Sequence, residues 1–369
     1  MGTDTGGNTA RDTEDGSAGA RDRRGTGTGL RRRLRPLRLL RLTAWAAAFV
    51  SGLVAIFLVQ TWLWWQQEPI SGGTGANGLW ARHQWVGERH TEAEYRALAD
   101  TVRQNRITDV FFHAGPFEAD GTVPPAKYTN ARNLIEAMRR LAPGVRSQAY
   151  LGQIRRVGGH GILDLDSPEV RRGVLATDKI FLDLGFDGIH YDVEPVYPDD
   201  DSFVRLLDDT RALTRARGRV LSVALEQLTL VDAAQPVYRA LIPRGGGLHY
   251  PARPTEDFLR TVADRVDQVT IMTYDVSLPT RSLVGRHFAW HTERTLRLIG
   301  DRVTVFMGVP TYRPLMDWAE DLEGALRGVR RGVDALDRRP ARPYGVGIYA
   351  EWTTSPADWA RYRADWLNK

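Results

Sequence analysis

From about residue 78 to the end of the chain, apolar β-branched runs alternate with amphipathic stretches. Strand-like runs fall at 79–86 (LWARHQWV), 107–113 (ITDVFFH), 145–151 (VRSQAYL), 186–194 (FDGIHYDVE), 219–226 (RVLSVALE), 266–274 (VDQVTIMTY), 303–309 (VTVFMGV) and 344–350 (YGVGIYA). Helix signals separate them. Thr91-Glu92-Ala93-Glu94 is a capping box, and Ser167-Pro168 sets an N-cap before a first-turn proline. Gly185 and Gly218 are placed to close helices. Eight strands alternating with helices predict an α/β fold, a (β/α)8 TIM barrel. An open doubly wound sheet is the alternative, but no G-x-G-x-x-G follows the first strand.

A different pattern precedes the barrel. Residues 42–65, Leu42 through Trp65, carry no charged side chain and are long enough to cross a bilayer as a helix. Trp62, Trp64 and Trp65 stand at the far end, as in an aromatic belt. Arg31, Arg32, Arg33, Arg35, Arg38 and Arg41 crowd the near end, which predicts a cytoplasmic N-terminus and an extracytoplasmic barrel at the cell membrane. The run is too long for the core of an ordinary cleaved signal peptide. The expected organisation is a disordered arginine-rich tail over 1–41, a transmembrane helix over 42–65, a polar Gly-rich linker over 66–77 and a barrel over 78–369.

Charge changes the picture only after it is partitioned. The net charge is +5, and residues 1–41 hold ten arginines against five acids. The rest is therefore neutral overall, so the basic balance belongs beside an anionic leaflet and gives no reason to expect nucleic-acid binding. Cysteine is absent, so an exported barrel must rely on its own core rather than on disulfides. Arginine outnumbers lysine 47 to 3 (Lys127, Lys179, Lys369), which hints at a GC-rich bacterial source.

The run Gly185-Phe186-Asp187-Gly188-Ile189-His190-Tyr191-Asp192-Val193-Glu194-Pro195 carries the chemistry. Strand side chains alternate between faces, so His190, Asp192 and Glu194 point one way and Ile189, Tyr191 and Val193 the other. Ionisable groups in a row on a buried strand are costly unless paired and used. Glu194 stands last, at the C-terminal tip where a TIM barrel keeps its chemistry. On the fifth strand Glu226 follows Ser222 and Ala224 on one face, as a second acid, a substrate ligand or a salt-bridged structural residue. Glu351, just past the eighth strand, has a weaker claim.

Three ordered motifs resemble the family-18 glycoside hydrolases, the chitinase family. Asp187-Gly188-Ile189-His190-Tyr191-Asp192-Val193-Glu194 is similar to its D-G-x-D-x-D-x-E signature. Val269-Thr270-Ile271-Met272-Thr273-Tyr274-Asp275 resembles its sixth strand, and Phe306-Met307-Gly308-Val309-Pro310-Thr311-Tyr312 its seventh. The resemblance implies substrate-assisted hydrolysis, in which the sugar's 2-acetamido oxygen is the nucleophile. Glu194 would protonate the leaving oxygen and then activate water. Asp192 would hold the acetamido N–H, Tyr274 would donate to the acetamido oxygen, and Asp275 would brace the sugar or Tyr274. The seventh strand ends without a carboxylate, which agrees with substrate assistance. Asp187 opens its strand, away from the tip, and is expected to be structural support.

The departures lie at two places. His190 replaces the family's middle Asp, either as a partner of Asp192 and part of the substrate site or as a core histidine. The family's strand-eight Trp is absent; Tyr349 or Trp352 would floor the sugar, with Met272 alongside, or would simply pack. No cofactor or metal is expected. His83, His90, His113, His160, His249, His287 and His291 are scattered, and His287 and His291, four apart, lack an evident third ligand. Asp199-Asp200-Asp201 reads as N-terminal dipole stabilisation. Arg327, Arg330 and Arg331, and Arg338, Arg339 and Arg342, read as solvated surface. The chain therefore reads as a membrane-tethered hydrolase of an N-acetylhexosamine glycan. A catalytically silent sugar-binding barrel and a glycosidase with a second enzyme carboxylate remain open, as do the glycan and the oligomeric state.

Overall fold

The computed structural model describes residues 29–73, 75–157, 160–229, 253–312 and 319–368, with side chains from Thr43 onward. Residues 1–28 of the expected 1–41 tail, and His249, lie outside the described residues. The chain divides into two compact units at Gln60/Thr61.

The described part of the first unit, 29–60, is helical. Helix α1 runs Gly29–Gln66 and so takes in the arginine-rich flank that the sequence reading assigned to the tail. Its segment Thr43–Gln66 has a mean hydropathy of 1.9 and is 6% buried, so it is long and apolar enough to cross a membrane.

The second unit is a closed, all-parallel barrel with strand order β1 to β8. The strands are β1 Ala76–Ala81, β2 Asp109–His113, β3 Arg146–Ile154, β4 Gly188–Glu194, β5 Val220–Glu226, β6 Gln268–Met272, β7 Thr304–Pro310 and β8 Tyr344–Tyr349. Helices α2 Gln84–Gly87, α3 Glu92–Gln104, α4 Ala131–Leu141, α5 Pro168–Leu184, α6 Asp201–Ala216, α7 Glu256–Ala263, α8 Arg281–Ile299, α9 Leu322–Asp334 and α10 Pro356–Tyr362 lie around it.

Local chemistry sets the ends as the sequence implies. Thr91 and Glu94 form the capping box, and the Ser167 side chain accepts from the Val170 N–H. Gly185 closes α5 at φ 107°, a left-handed conformation costly for a side chain with Cβ. Gly188 has another reason to be glycine: a Cβ there would meet the Val220 carbonyl oxygen at 2.5 Å. Asp200 caps α6 by accepting from the Phe203 N–H at 3.0 Å.

Several boundaries move, two of them with consequences. The first strand is Ala76–Ala81 rather than 79–86, because Val86, whose side chain is wholly buried, belongs to the short helix α2. The stretch read as a linker is fastened along α9. Arg330 donates to the Ser71 and Pro69 carbonyls at 2.5 and 2.6 Å, and Asp334 accepts from the Ile70 and Ser71 N–H groups at 2.9 and 2.8 Å. Arg327 donates to the Trp65 carbonyl at 2.6 Å. These arginines, expected on a solvated surface, thus hold the entry to the barrel, and Arg330 is only 5% exposed.

Period two on the strands divides the core. Ile189, Tyr191 and Val193 face the helices and are buried. Inside the barrel, Trp80, Phe111, Ala224 and Phe306 pack together, with Tyr150, Met272 and Tyr349 above them.

Candidate active site

Glu194 stands at the tip of β4, and the elements around it are specific. The Arg155 N–H donates to the Glu194 carbonyl at 2.6 Å. The Arg155 side chain reaches the Pro195 carbonyl at 3.3 Å, Ser202 Oγ at 2.9 Å, and forms a buried ion pair with Asp200. The backbone beyond the acid is thereby tied to the start of α6.

Register brings a second acid alongside. His190 pairs with Ser222 across β4 and β5. Carried four residues further on both strands, this register sets Glu194 beside Glu226, and the two carboxyl groups share a hydrogen bond. Burial, the Asp192 charge and Glu226 together push Glu194 up to about 9, so it holds its proton at neutral pH. Glu226 is also raised by burial, but it accepts from Glu194 and is further held down by Arg253 and the Gln227 N–H. Glu194 is therefore the donor of this pair and Glu226 the acceptor.

Asp192 lies between these tips and the barrel floor. It accepts from the Tyr150 hydroxyl at 2.6 Å. Burial raises its pKa, and the Tyr150 hydrogen bond opposes that rise. Its Oδ1 is buried without a protein partner among the described residues.

His190 sits deeper, wholly buried, and does not bond Asp192. Its Nδ1 meets Ser222 Oγ at 2.5 Å, and its ring stacks on Phe111 at 4.0 Å. Burial lowers its pKa to about 3, so it is neutral. The expectation that it contacts substrate does not fit this place beneath Asp192. Ser222 in turn donates to Gln148 at 3.0 Å, and Gln148 donates to Asp109 at 2.8 Å and to Gln268 at 2.7 Å. This polar column ends on Arg146, which bonds Asp109 at 2.6 Å.

Aromatic rings close one side of the site. Tyr274 stacks on Tyr349 at 5.3 Å, nearly parallel, and Tyr312 stands edge-on to both. Trp80 and the 40%-exposed Trp352 also meet Tyr349 edge-on. Met272, half-buried, packs into the same cluster.

Asp275 is placed differently from the expectation that it braces Tyr274. Its φ is 64°, its side chain is exposed, and its N–H donates to Glu320 at 2.8 Å. Glu320 also accepts from the Val276 N–H at 3.2 Å, so Glu320 holds this turn. Asp187 accepts from the Ser147 N–H at 3.0 Å and from Arg219 at 2.8 Å, at the far end of β4 from Glu194. Glu351 pairs with Arg82 at 3.0 Å. His291 is buried and His287 half-buried, with rings 4.2 Å apart, and no group of three metal-ligating side chains exists among the described residues.

Sequence reading missed Tyr150, Arg155, Trp80 and Glu320. Tyr150 carried a usable signal, being two residues past Gln148 on the same strand face. Arg155 and Glu320 lie outside strands and gave none.

No family model matches the chain. It is 30% identical over 154 residues to a probable inorganic carbon transporter subunit, DabA, of Azorhizobium caulinodans, across 42% of this chain and 18% of that protein. The chain thus spans less than a fifth of that relative. Solved structures resemble it over far more of its length. The spore cortex-lytic enzyme SleL of Bacillus cereus matches with a TM-score of 0.54 at 12% identity, over 80% of this chain and 75% of that one. A chitinase from Chromobacterium violaceum matches with a TM-score of 0.53 at 15% identity, over 80% and 100%. A class V chitinase from Pseudomonas fluorescens gives 0.54 at 15%, over 79% and 99%. At these identities the likeness speaks to architecture, and the chain has the fold of the family-18 chitinase-like barrels.

Proposed function

We propose that this protein is a membrane-anchored glycoside hydrolase that cleaves an N-acetylhexosamine-containing glycan outside the cytoplasmic membrane. The observation that carries this reading is Glu194 at a strand tip beside Glu226, its pKa pushed up to about 9, with Asp192 two residues back and Tyr274 across the site. The apolar segment of α1 and its arginine flank support the anchor and the orientation. SleL and the chitinases on the same fold support a glycan as substrate.

The chemistry follows from the residues. Glu194 donates its proton to the glycosidic oxygen as the bond to the sugar's anomeric carbon breaks. The 2-acetamido carbonyl oxygen closes on that carbon and forms an oxazolinium ring. The unpartnered Oδ1 of Asp192 takes the acetamido N–H, and the Asp192 charge stabilises the cation. Tyr274 donates to the acetamido oxygen, and the Tyr349–Trp352 side supplies an apolar wall for the sugar face. Glu194, now ionised, takes a proton from the water that opens the ring, and is restored.

A second enzyme carboxylate is the rival. Glu226 lies nearest, but it is hydrogen-bonded to Glu194. A retaining pair needs roughly 5–5.5 Å between carboxyl groups and an inverting pair roughly 6.5–9.5 Å. Glu226 therefore fits better as the group that keeps the proton on Glu194. A catalytically silent binder would have no use for that proton.

An aryl N-acetylhexosaminide and the matching plain hexoside separate the readings. Cleavage of the first alone, with inhibition by the thiazoline analogue of the oxazolinium ring, is expected. Labelling of Glu226 or Asp275 by a 2-fluoro hexoside would replace substrate assistance with an enzyme nucleophile. Thiazoline binding without cleavage of any N-acetylhexosaminide would make the protein a binder.

A further inference from the structure

At the N-terminal mouth of the barrel, opposite the carboxyl cluster, lies an open pocket of 470 Å³. Its size is within the roughly 300–1,000 Å³ usual for small-molecule sites. It is built from the starts of β3 and β5 to β7, the approach to β8, and the last turns of α6 and α7.

Five arginines line it: Arg146, Arg211, Arg215, Arg302 and Arg342. The lining carboxylates are Asp264 and Asp267. Arg302 is paired with Asp264, and Arg146 with Asp109 behind the wall. Asp267 accepts from the Leu221 N–H at 2.9 Å, so part of its capacity is committed to the backbone. The side chains of Arg215 and Arg342 have no hydrogen-bond or ion-pair partner among the described residues. Arg211 Nη1 is buried and also lacks one. Arg211 and Arg215 lie one turn apart on α6, where like charges repel. Burial, and then Arg215, lowers the pKa of Arg211 from its ordinary value. A guanidinium cannot relieve such crowding by losing its proton at neutral pH; Asp208, Asp264 and Asp267 offset part of it, and an added anion would offset more.

We propose that this pocket binds a phosphorylated small molecule carrying at least two negative charges. A tetrahedral phosphate accepts guanidinium forks from several directions at once, which suits arginines arranged around a cavity. A flat carboxylate would use fewer of them. The site is separate from the glycosidase reading and does not depend on it. Its inner wall includes Gln268 and Arg146, which belong to the polar column beneath His190, so these two are left untouched in the test.

The test is calorimetric titration of the full chain in a neutral, non-glycosidic detergent, with pyrophosphate, inorganic phosphate and citrate at matched ionic strength. Pyrophosphate is expected to bind at one site, more tightly than citrate. Arg215→Ala/Arg342→Ala should weaken it at least tenfold, and Arg211→Gln should weaken it separately. Circular dichroism and thermal unfolding check that each variant is folded. If the double variant fails to fold, Arg342→Glu alone, at the exposed rim, must still abolish binding. A parallel titration with glycerol 3-phosphate and with soluble short-chain phosphatidic acid distinguishes a free phosphate from a lipid headgroup: tighter binding of the short-chain lipid assigns the pocket to headgroups. No pyrophosphate binding beyond the ionic-strength control, or binding equal in parent and variants, would overturn the proposal.

Discussion

At the C-terminal mouth of the barrel Asp192, Glu194 and Glu226 crowd together, whereas five guanidinium groups surround the pocket at the N-terminal mouth. Both ends concentrate charge of one sign, but the two chemistries resolve it differently. A carboxyl group can accept a proton, so crowding and burial turn Glu194 into a neutral acid with a proton to give. A guanidinium stays charged, so crowding is offset by counter-charge: Asp109 and Asp264 pair with two of the arginines, Asp208, Asp264 and Asp267 act on Arg211, and the proposed anion would meet the rest. One end of the barrel stores a proton and the other keeps its positive charge.

The largest expected effect breaks the proton-storing end. Glu194→Gln keeps the hydrogen-bonding shape but not the proton, and hydrolysis should fall by roughly 10²-fold or more while the fold survives. A variant that hydrolyses as fast as the parent would remove Glu194 from the mechanism. The parent's activity should also decline as pH rises through about 9, where Glu194 ionises.

Glu226→Gln comes next. Both its charge and its hydrogen bond raise Glu194, so removing the charge should move the alkaline limb of the pH–rate profile toward neutral. A shift on the order of one unit, tenfold in the protonated fraction on that side, is expected. An unmoved limb would mean that burial and Asp192 suffice.

Linkage gives a subtler comparison. The folded pKa of Glu194 lies above its ordinary value, so the folded state binds the extra proton between those limits. This contribution is full below the ordinary carboxylate range and is lost as pH climbs to about 9. The Glu194→Gln variant should therefore gain on the parent in thermal unfolding as pH rises from 6 to about 9. A constant gap between the two would contradict the raised pKa. His190 should produce the smallest effect. Being neutral and bonded to Ser222, it should add no inflection between about pH 5 and 8. An imidazole inflection that vanishes in His190→Asn would show that it senses the site after all.

Much of this was legible along the chain. The eight strands, the caps at Thr91 and Ser167, and the face shared by His190, Asp192 and Glu194 follow from period two, period 3.6 and local hydrogen bonding. Local rules cannot say what a side chain meets across the barrel. His190 was open to two readings because its partner, Ser222, is 32 residues away on the next strand. The stretch 66–77 looked like a tether because composition alone does not reveal that Arg330 and Asp334 wait for its backbone.

What the sequence determined by itself is periodic and local: the barrel, the apolar helix, and Glu194 at a strand tip before Pro195. What only the tertiary structure decided is register and convergence. The β4–β5 register sets Glu226 against Glu194 and Ser222 against His190, and the β3–β4 register brings Tyr150 within reach of Asp192. Closure of the barrel gathers arginines from residues 146 to 342 around one pocket. Strand alternation is written into each segment, but the electrostatic environment of a group depends on distant segments brought within a few ångströms, and the Coulomb energy there is set by those distances and by the water excluded.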